Sequence, residues 1–291
     1  LAEKDLAEKL LESYNDVFAD IVNGLLFNGV PRIKPESLSD DIVHSQYRGE
    51  QGKLHEEERD VLKRWNDYGI NIAIMGFENQ SKAEKYMPLR VIGYDGAAYR
   101  SQLLEENIKP VPVITIVLYF GNGHWNQPMN LKKLFDIPIG LNEYVSDYKI
   151  NVFEVAWLSD EVINSFESDF RIVANFFKQK RLNKNYVPND PQEIVHVDGV
   201  LKLLSAMTGD NRYEKILYTD KEVKTMCEVA ERLEKIGFSK GISEGERTTV
   251  FRLVAKGKIT SEDGANELEM VISDFEKSMQ EAGFNIPECS K

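Results

Sequence analysis

Two acidic residues and one amide in neighbouring β-prone runs could carry chemistry together. Glu78 and Gln80 stand two apart at the end of Ile70–Gln80 (INIAIMGFENQ), and Asp60 opens the preceding run Asp60–Trp65 (DVLKRW). Side chains two apart on a strand face the same side, so Glu78 and Gln80 point together and Asn79 points away. Between the runs lies Asn66-Asp67-Tyr68-Gly69, a hairpin signal. A three-residue loop, Asp67-Tyr68-Gly69, puts Gly at its left-handed third position and Asn66 opposite Ile70. Asp60 then falls opposite Gly76, on the face of Glu78 and diagonal to it, with Cα atoms roughly 7–8 Å apart. A two-residue loop would shift the register by one and turn Asp60 to the other face.

Two carboxylates that converge repel unless a cation lies between them. Hard oxygen ligands favour Mg²⁺ or Mn²⁺, which keep waters for chemistry. A metal-bound water is a better nucleophile, and the ion offsets charge on a phosphate oxygen. Gln80 could hydrogen-bond that water, but it neither carries positive charge nor acts as a strong base. The plain alternative is that Asp60, Glu78 and Gln80 are solvated strand-end groups. Ile70, Ile72 and Ile74 share the face of Glu78 and put the carboxylates at the edge of a core.

The elements that must position these groups are legible as periodicities. Residues 6–27 read as an amphipathic helix with Leu10, Val17, Ile21 and Leu25 on one face, closed by Asn28-Gly29. A short strand is expected near Ile42–Tyr47. Pro88–Glu106 reads as a helix, Val111–Phe120 as a buried central strand and Tyr148–Trp157 as another strand, with a long connection over 121–147. Helices are expected over Val162–Arg181, Gln192–Met207 and Lys221–Ile236. Gly237, Gly241 and Gly245 fall four apart, as a helical packing stripe or a flexible connector; the connector is the preferred reading. Three short helices follow in 246–282, with Thr260…Asp263 and Ser273…Glu276 as capping patterns. One helix, a mixed sheet and then helices is an α/β arrangement.

The chain has 291 residues, 36 Lys and Arg against 48 Asp and Glu, and a formal net charge of −12, so indiscriminate nucleic-acid binding is disfavoured. Cys227 and Cys289 are the only cysteines, which excludes a disulfide framework and points to a reducing cytoplasm. No run is long and apolar enough to span a membrane, and the first ten residues lack the apolar core of a signal peptide. Against the net charge, Phe170–Asn189 holds Arg171, Lys178, Lys180, Arg181 and Lys184 with no acid, and with aromatics interleaved. It reads as a backbone-tracking surface or as a solvated helix end. Ser261–Gly283 is strongly acidic, which fits a protein-interaction or oligomerisation tail better than groove docking. The histidines His44, His55, His124 and His196 are scattered and read as surface or loop residues, although His124 in GNGHW also suggests an imidazole base.

The run ERDVLKRW followed by GFENQSKAEKYMPLRVIGYDGAAY resembles the recombination-promoting nuclease (Rpn) family of transposase-like proteins, in the PD-(D/E)XK nuclease superfamily. NDVFADIVNGLLFNG, VPVITIVLYFGNGHW and the tail GKITSEDGANELEM are also similar to that family. The resemblance covers roughly 14–157 well and the tail loosely. It implies a restriction-endonuclease-type α/β core of helix, mixed sheet and flanking helix over 1–160, followed by a helical extension over 161–236 and a Gly-spaced connector with an acidic helical tail over 237–291. It implies Mg²⁺- or Mn²⁺-dependent cleavage of DNA phosphodiesters with little sequence preference, and a tie to recombination or mobile elements. Asp60 and Glu78 match the metal-binding acids, and Gln80 occupies the position of the superfamily's lysine. One of Asp16, Asp20 and Asn23 matches a first-helix polar residue of that site, or all three are helix-surface polarity. Arg90 and Tyr94, four apart on one helix face, either hold a phosphate and line the cleft or form a salt bridge and a half-buried tyrosine. Asp95 and Tyr99 read as structural. The rival reading is a catalytically inactive DNA- or protein-binding module of the same fold; a nuclease of RNA or single strands is a second.

Overall fold

The computed structural model describes residues 10–41, 45–48, 54–57, 61–67, 70–104, 109–219 and 222–285. The chain divides into two compact units, Leu1–Ala230 and Glu231–Lys291.

The first unit is built on a five-stranded mixed sheet. After α1 (Asn15–Leu26) come β1 (Leu38–Asp40), β2 (Ser45–Arg48), β3 (Leu54–Glu57), β4 (Val61–Asp67) and β5 (Ile70–Gln80), then α2 (Met87–Gln102), β6 (Val113–Tyr119) and β7 (Asn151–Glu154). The sheet order is β1-β4-β5-β6-β7, and β2 and β3 form a separate ribbon. β1, β4 and β5 pair antiparallel, whereas β5, β6 and β7 run parallel. Parallel neighbours need a crossover, and α2 supplies the one between β5 and β6. This is the expected α/β core, with one helix on each face. Phe18 of α1 packs on Phe77 with ring centroids 4.5 Å apart. On the opposite face Ala98 of α2 joins Leu62, Ile74, Val111 and Val113, while Met87 and Val91 join Val117 and Ile150. Gln102 ties the end of α2 to the start of β6 through both Val111 N–H and Val111 C=O.

Helices α3 (Asp160–Ser165), α4 (Phe170–Leu182), α5 (Val197–Thr208) and α6 (Arg212–Ile216) belong to the same compact unit as the sheet. The single helix expected over Val162–Arg181 is two. Phe166 turns extended and fits against Gly24, where an added Cβ would lie 2.3 Å from its ring. Asp20 accepts the backbone N–H groups of Glu167 and Ser168 that the break exposes. The first helix is likewise interrupted: Tyr14 is extended and serves as the N-cap of α1.

The glycine-spaced segment is helix, not connector: α7 runs from Met226 to Ala255 without a break. Gly257, in a left-handed conformation, follows its end. In the second unit Val250, Phe251 and Val254 form a core with Ala265 of α8 (Ser261–Glu267) and Phe275 and Met279 of α9 (Ile272–Glu281). Thr260 and Asp263 make the expected capping box. Ser273 caps nothing; Val271 is the N-cap of α9 and has no side-chain cap bond.

Candidate active site

β5 places the candidate residues at its C-terminal end, with Glu78 buried and Gln80 partly exposed. Phe77 packs on α1 and Asn79 bonds Glu12, while Ile74 packs with Ala98 of α2, so by alternation Glu78 and Gln80 share the α2 side. The β4–β5 turn departs from the expected three-residue loop. Asp67 lies opposite Ile70, and an irregularity between Trp65 and Asn66 adds a second step, so Trp65 lies opposite Ala73 and Val61 opposite Phe77. A shift of one would have exchanged the faces; two together restore them. Leu62 accordingly sits with Ile74 on the α2 side. Asp60, with Tyr68 and Gly69, lies outside the described residues.

Glu78 is only 2% exposed. A carboxylate at that depth is held by charge and hydrogen bonds. Arg90 Nη2 donates to Glu78 Oε1 at 2.5 Å, and Gln80 Nε2 donates to the same oxygen at 3.2 Å. The same Arg90 nitrogen lies 3.0 Å from the Tyr94 hydroxyl, which accepts from it. One turn of α2 thus aims both Arg90 and Tyr94 at the end of β5. Tyr94 is buried, while the Arg90 side chain is 36% exposed, so the pair spans from core to surface. The geometry brings together Glu78, Gln80, Arg90 and Tyr94. The arginine is engaged with a protein carboxylate, as in the salt-bridge alternative.

Glu78 and the amide oxygen of Gln80 are hard donors of the kind Mg²⁺ takes. Among the described residues no three His, Cys, Asp or Glu side chains gather into a metal group.

The first-helix candidates are all engaged elsewhere. Asp16 bonds His196, Asp20 holds the chain after α3, and Asn23 is buried and bonded to the backbone of Arg32 and Ile33. A carboxylate that does reach β5 from that side is one the sequence reading passed over. Glu12 is fully buried, and its Oε1 accepts from Asn79, the neighbour of Glu78. The break at Tyr14 resets the helical phase, so a face counted through it misplaces everything upstream. Asp95 is structural, accepting from Thr115 and Tyr148, and the Tyr99 hydroxyl accepts Val113 N–H.

Residues 67–196 match the Transposase_31 family, described as putative transposase, YhgA-like. The match bears out the resemblance to the Rpn type and takes in Glu78, Gln80, Arg90 and Tyr94. No curated protein and no solved structure gives a significant match. Among the described residues, no helix is long and apolar enough to cross a membrane.

Proposed function

We propose that the chain is a divalent-metal-dependent DNA endonuclease that hydrolyses phosphodiesters with little sequence preference. The observation that carries this reading is the buried Glu78 carboxylate with Gln80 and Arg90 on one of its oxygens, at the C-terminal end of a central strand. Glu78 and Asp60 would hold Mg²⁺ or Mn²⁺, which supplies an activated water and neutralises charge on the phosphoryl oxygens. Gln80 orients the water through its amide but cannot take its proton. Arg90 has a solvent-facing edge from which it can move from Glu78 to a substrate phosphate, a bidentate exchange suited to a guanidinium. Tyr94 holds Arg90 at the site.

The second reading, a non-catalytic module that binds DNA or protein, is favoured by the Arg90–Glu78 ion pair, since a guanidinium on the carboxylate opposes a cation there. Plasmid nicking in Mg²⁺ or Mn²⁺ separates the two. Wild type should nick, while Asp60→Ala and Glu78→Ala should lose about 10²-fold or more, the scale of removing one electrostatic stabiliser. Equal nicking by all three would remove the hydrolase.

A further inference from the structure

Two features far apart in the sequence meet on one indole. The His124 ring stacks on Trp157 with centroids 3.7 Å apart, and the Arg181 guanidinium carbon lies 3.8 Å from the centre of the same ring. Each is also anchored at a second point. His124 Nδ1 bonds Glu154 Oε2 at 2.8 Å, and Arg181 Nε donates to the Ala156 carbonyl at 2.8 Å. The other oxygen of Glu154 accepts Trp125 N–H, so this acid is engaged on both sides. Among the described residues, His124 Nε2 and the Arg181 Nη groups have no hydrogen-bond partner. The His124 side chain is 64% exposed, and Trp157 lies partly open beside it.

Two members of the basic run are already paired within the chain. Arg171 is bonded to Asp190 and Gln192, and Lys178 to Asp160. The run is therefore not a uniform cationic surface; within it Arg181 is the donor ordered on an aromatic ring. Its place in the sheet matters. Gln80 pairs with Tyr119 and Tyr119 with Glu154, so Glu154 lies two strands from Gln80 on the same face. At about 4.8 Å per strand that is about 10 Å between their backbones, within the span of a few nucleotides of one strand.

We propose that His124 and Arg181, held on Trp157, form a backbone clamp that binds a phosphate of the DNA strand a few nucleotides from the bond cut at Glu78. The proposal rests on the nucleic-acid reading above and adds a second contact to it. Aromatic stacking and backbone anchoring pre-order the two donors, which lowers the entropy lost on gripping a phosphate. With Trp157 already stacked by His124 and Arg181, the clamp reads backbone rather than base.

The test is binding of a fluorescent 20-base-pair duplex by the full chain, in Ca²⁺ to prevent turnover, over a salt series. Arg181→Ala should weaken binding about tenfold or more, as loss of a charge-assisted bond does. It should also reduce the salt slope by about one. His124→Ala, an exposed change that does not threaten the fold, should weaken binding severalfold. Arg181→Lys should keep most of the salt slope while losing affinity. Exposed Lys184→Ala is the comparison that isolates position from net charge. In nicking assays Arg181→Ala should raise KM and leave kcat unchanged, since the contact is made equally before and during the reaction. Wild-type affinity and slope in both Arg181→Ala and His124→Ala would overturn the clamp, as would a wild-type chain that binds no duplex. Clamp-dependent binding without any nicking would sustain the clamp and remove only the hydrolase.

Discussion

Glu78 and Asn23 show how differently two buried polar side chains can serve. Glu78 stands at a strand end, on an oxygen shared by Arg90 and Gln80. Asn23 is a brace, bonding both N–H groups and one carbonyl of the Arg32–Ile33 segment. Asn23→Ala leaves the buried Ile33 N–H and C=O without their partner, at about 1–3 kcal/mol. Its melting temperature should fall while nicking per folded molecule, measured below the melting range, stays at the wild-type level. A loss of turnover without loss of stability would return Asn23 to the site. Arg90 was legible as a candidate from its spacing to Tyr94. That it pairs with Glu78 was not, because the two residues belong to a strand and a helix whose docking no local pattern encodes.

At the scale of elements, glycine has opposite meanings in two helices. A Cβ at Gly24 would lie 2.3 Å from the Phe166 ring, whereas one at Gly241 or Gly245 meets nothing within 4 Å. Gly24→Ala should therefore destabilise by about 1–3 kcal/mol through overpacking. Gly241→Ala should instead stabilise α7 by about 0.5–1 kcal/mol, by lowering the entropy that a helical glycine loses. Chemical denaturation with circular dichroism reads both signs, and a destabilising Gly241→Ala would mean that α7 needs that surface bare. β4 to β7 and the first cap of the tail followed from alternation, β-branched content and Thr260…Asp263, whereas β1 and β3 lie in a stretch too polar and broken to read as strand. The helix break at Phe166 did not, because apolar periodicity runs through it; a ring seeking a pocket beside Gly24 outweighed the local preference. Through the glycines of α7, helix prevailed over the connector reading.

For the whole molecule, the two units should respond differently to alkali. Burial, with the charge of Asp210 adding to it, pushes the Tyr213 phenol up to about 12 from an unfolded value of 10.0. The neutral phenol contributes stability that is present below pH 10 and is lost as pH rises from 10 to about 12, because the unfolded chain ionises first. Tyr14, Tyr119 and Tyr186 are raised as well, also chiefly by burial. All four lie in Leu1–Ala230, and residues 231–291 contain no tyrosine. Calorimetry between pH 9 and 11.5 should show the transition of the first unit falling, and Tyr213→Phe should make that fall shallower. An identical fall in Tyr213→Phe would remove Tyr213 as a contributor.

The order of residues determined the kind of core, the two-apart placement of Glu78 and Gln80, the Arg90–Tyr94 face and most strands, since alternation, helical spacing and turn chemistry act over a few positions. Tertiary structure decided what those positions meet: Arg90 on Glu78, Glu12 on Asn79, and His124 with Arg181 on Trp157. Such pairings depend on strand register and on which helix covers which face. They arise from burial summed over the whole core, which no short window of sequence contains.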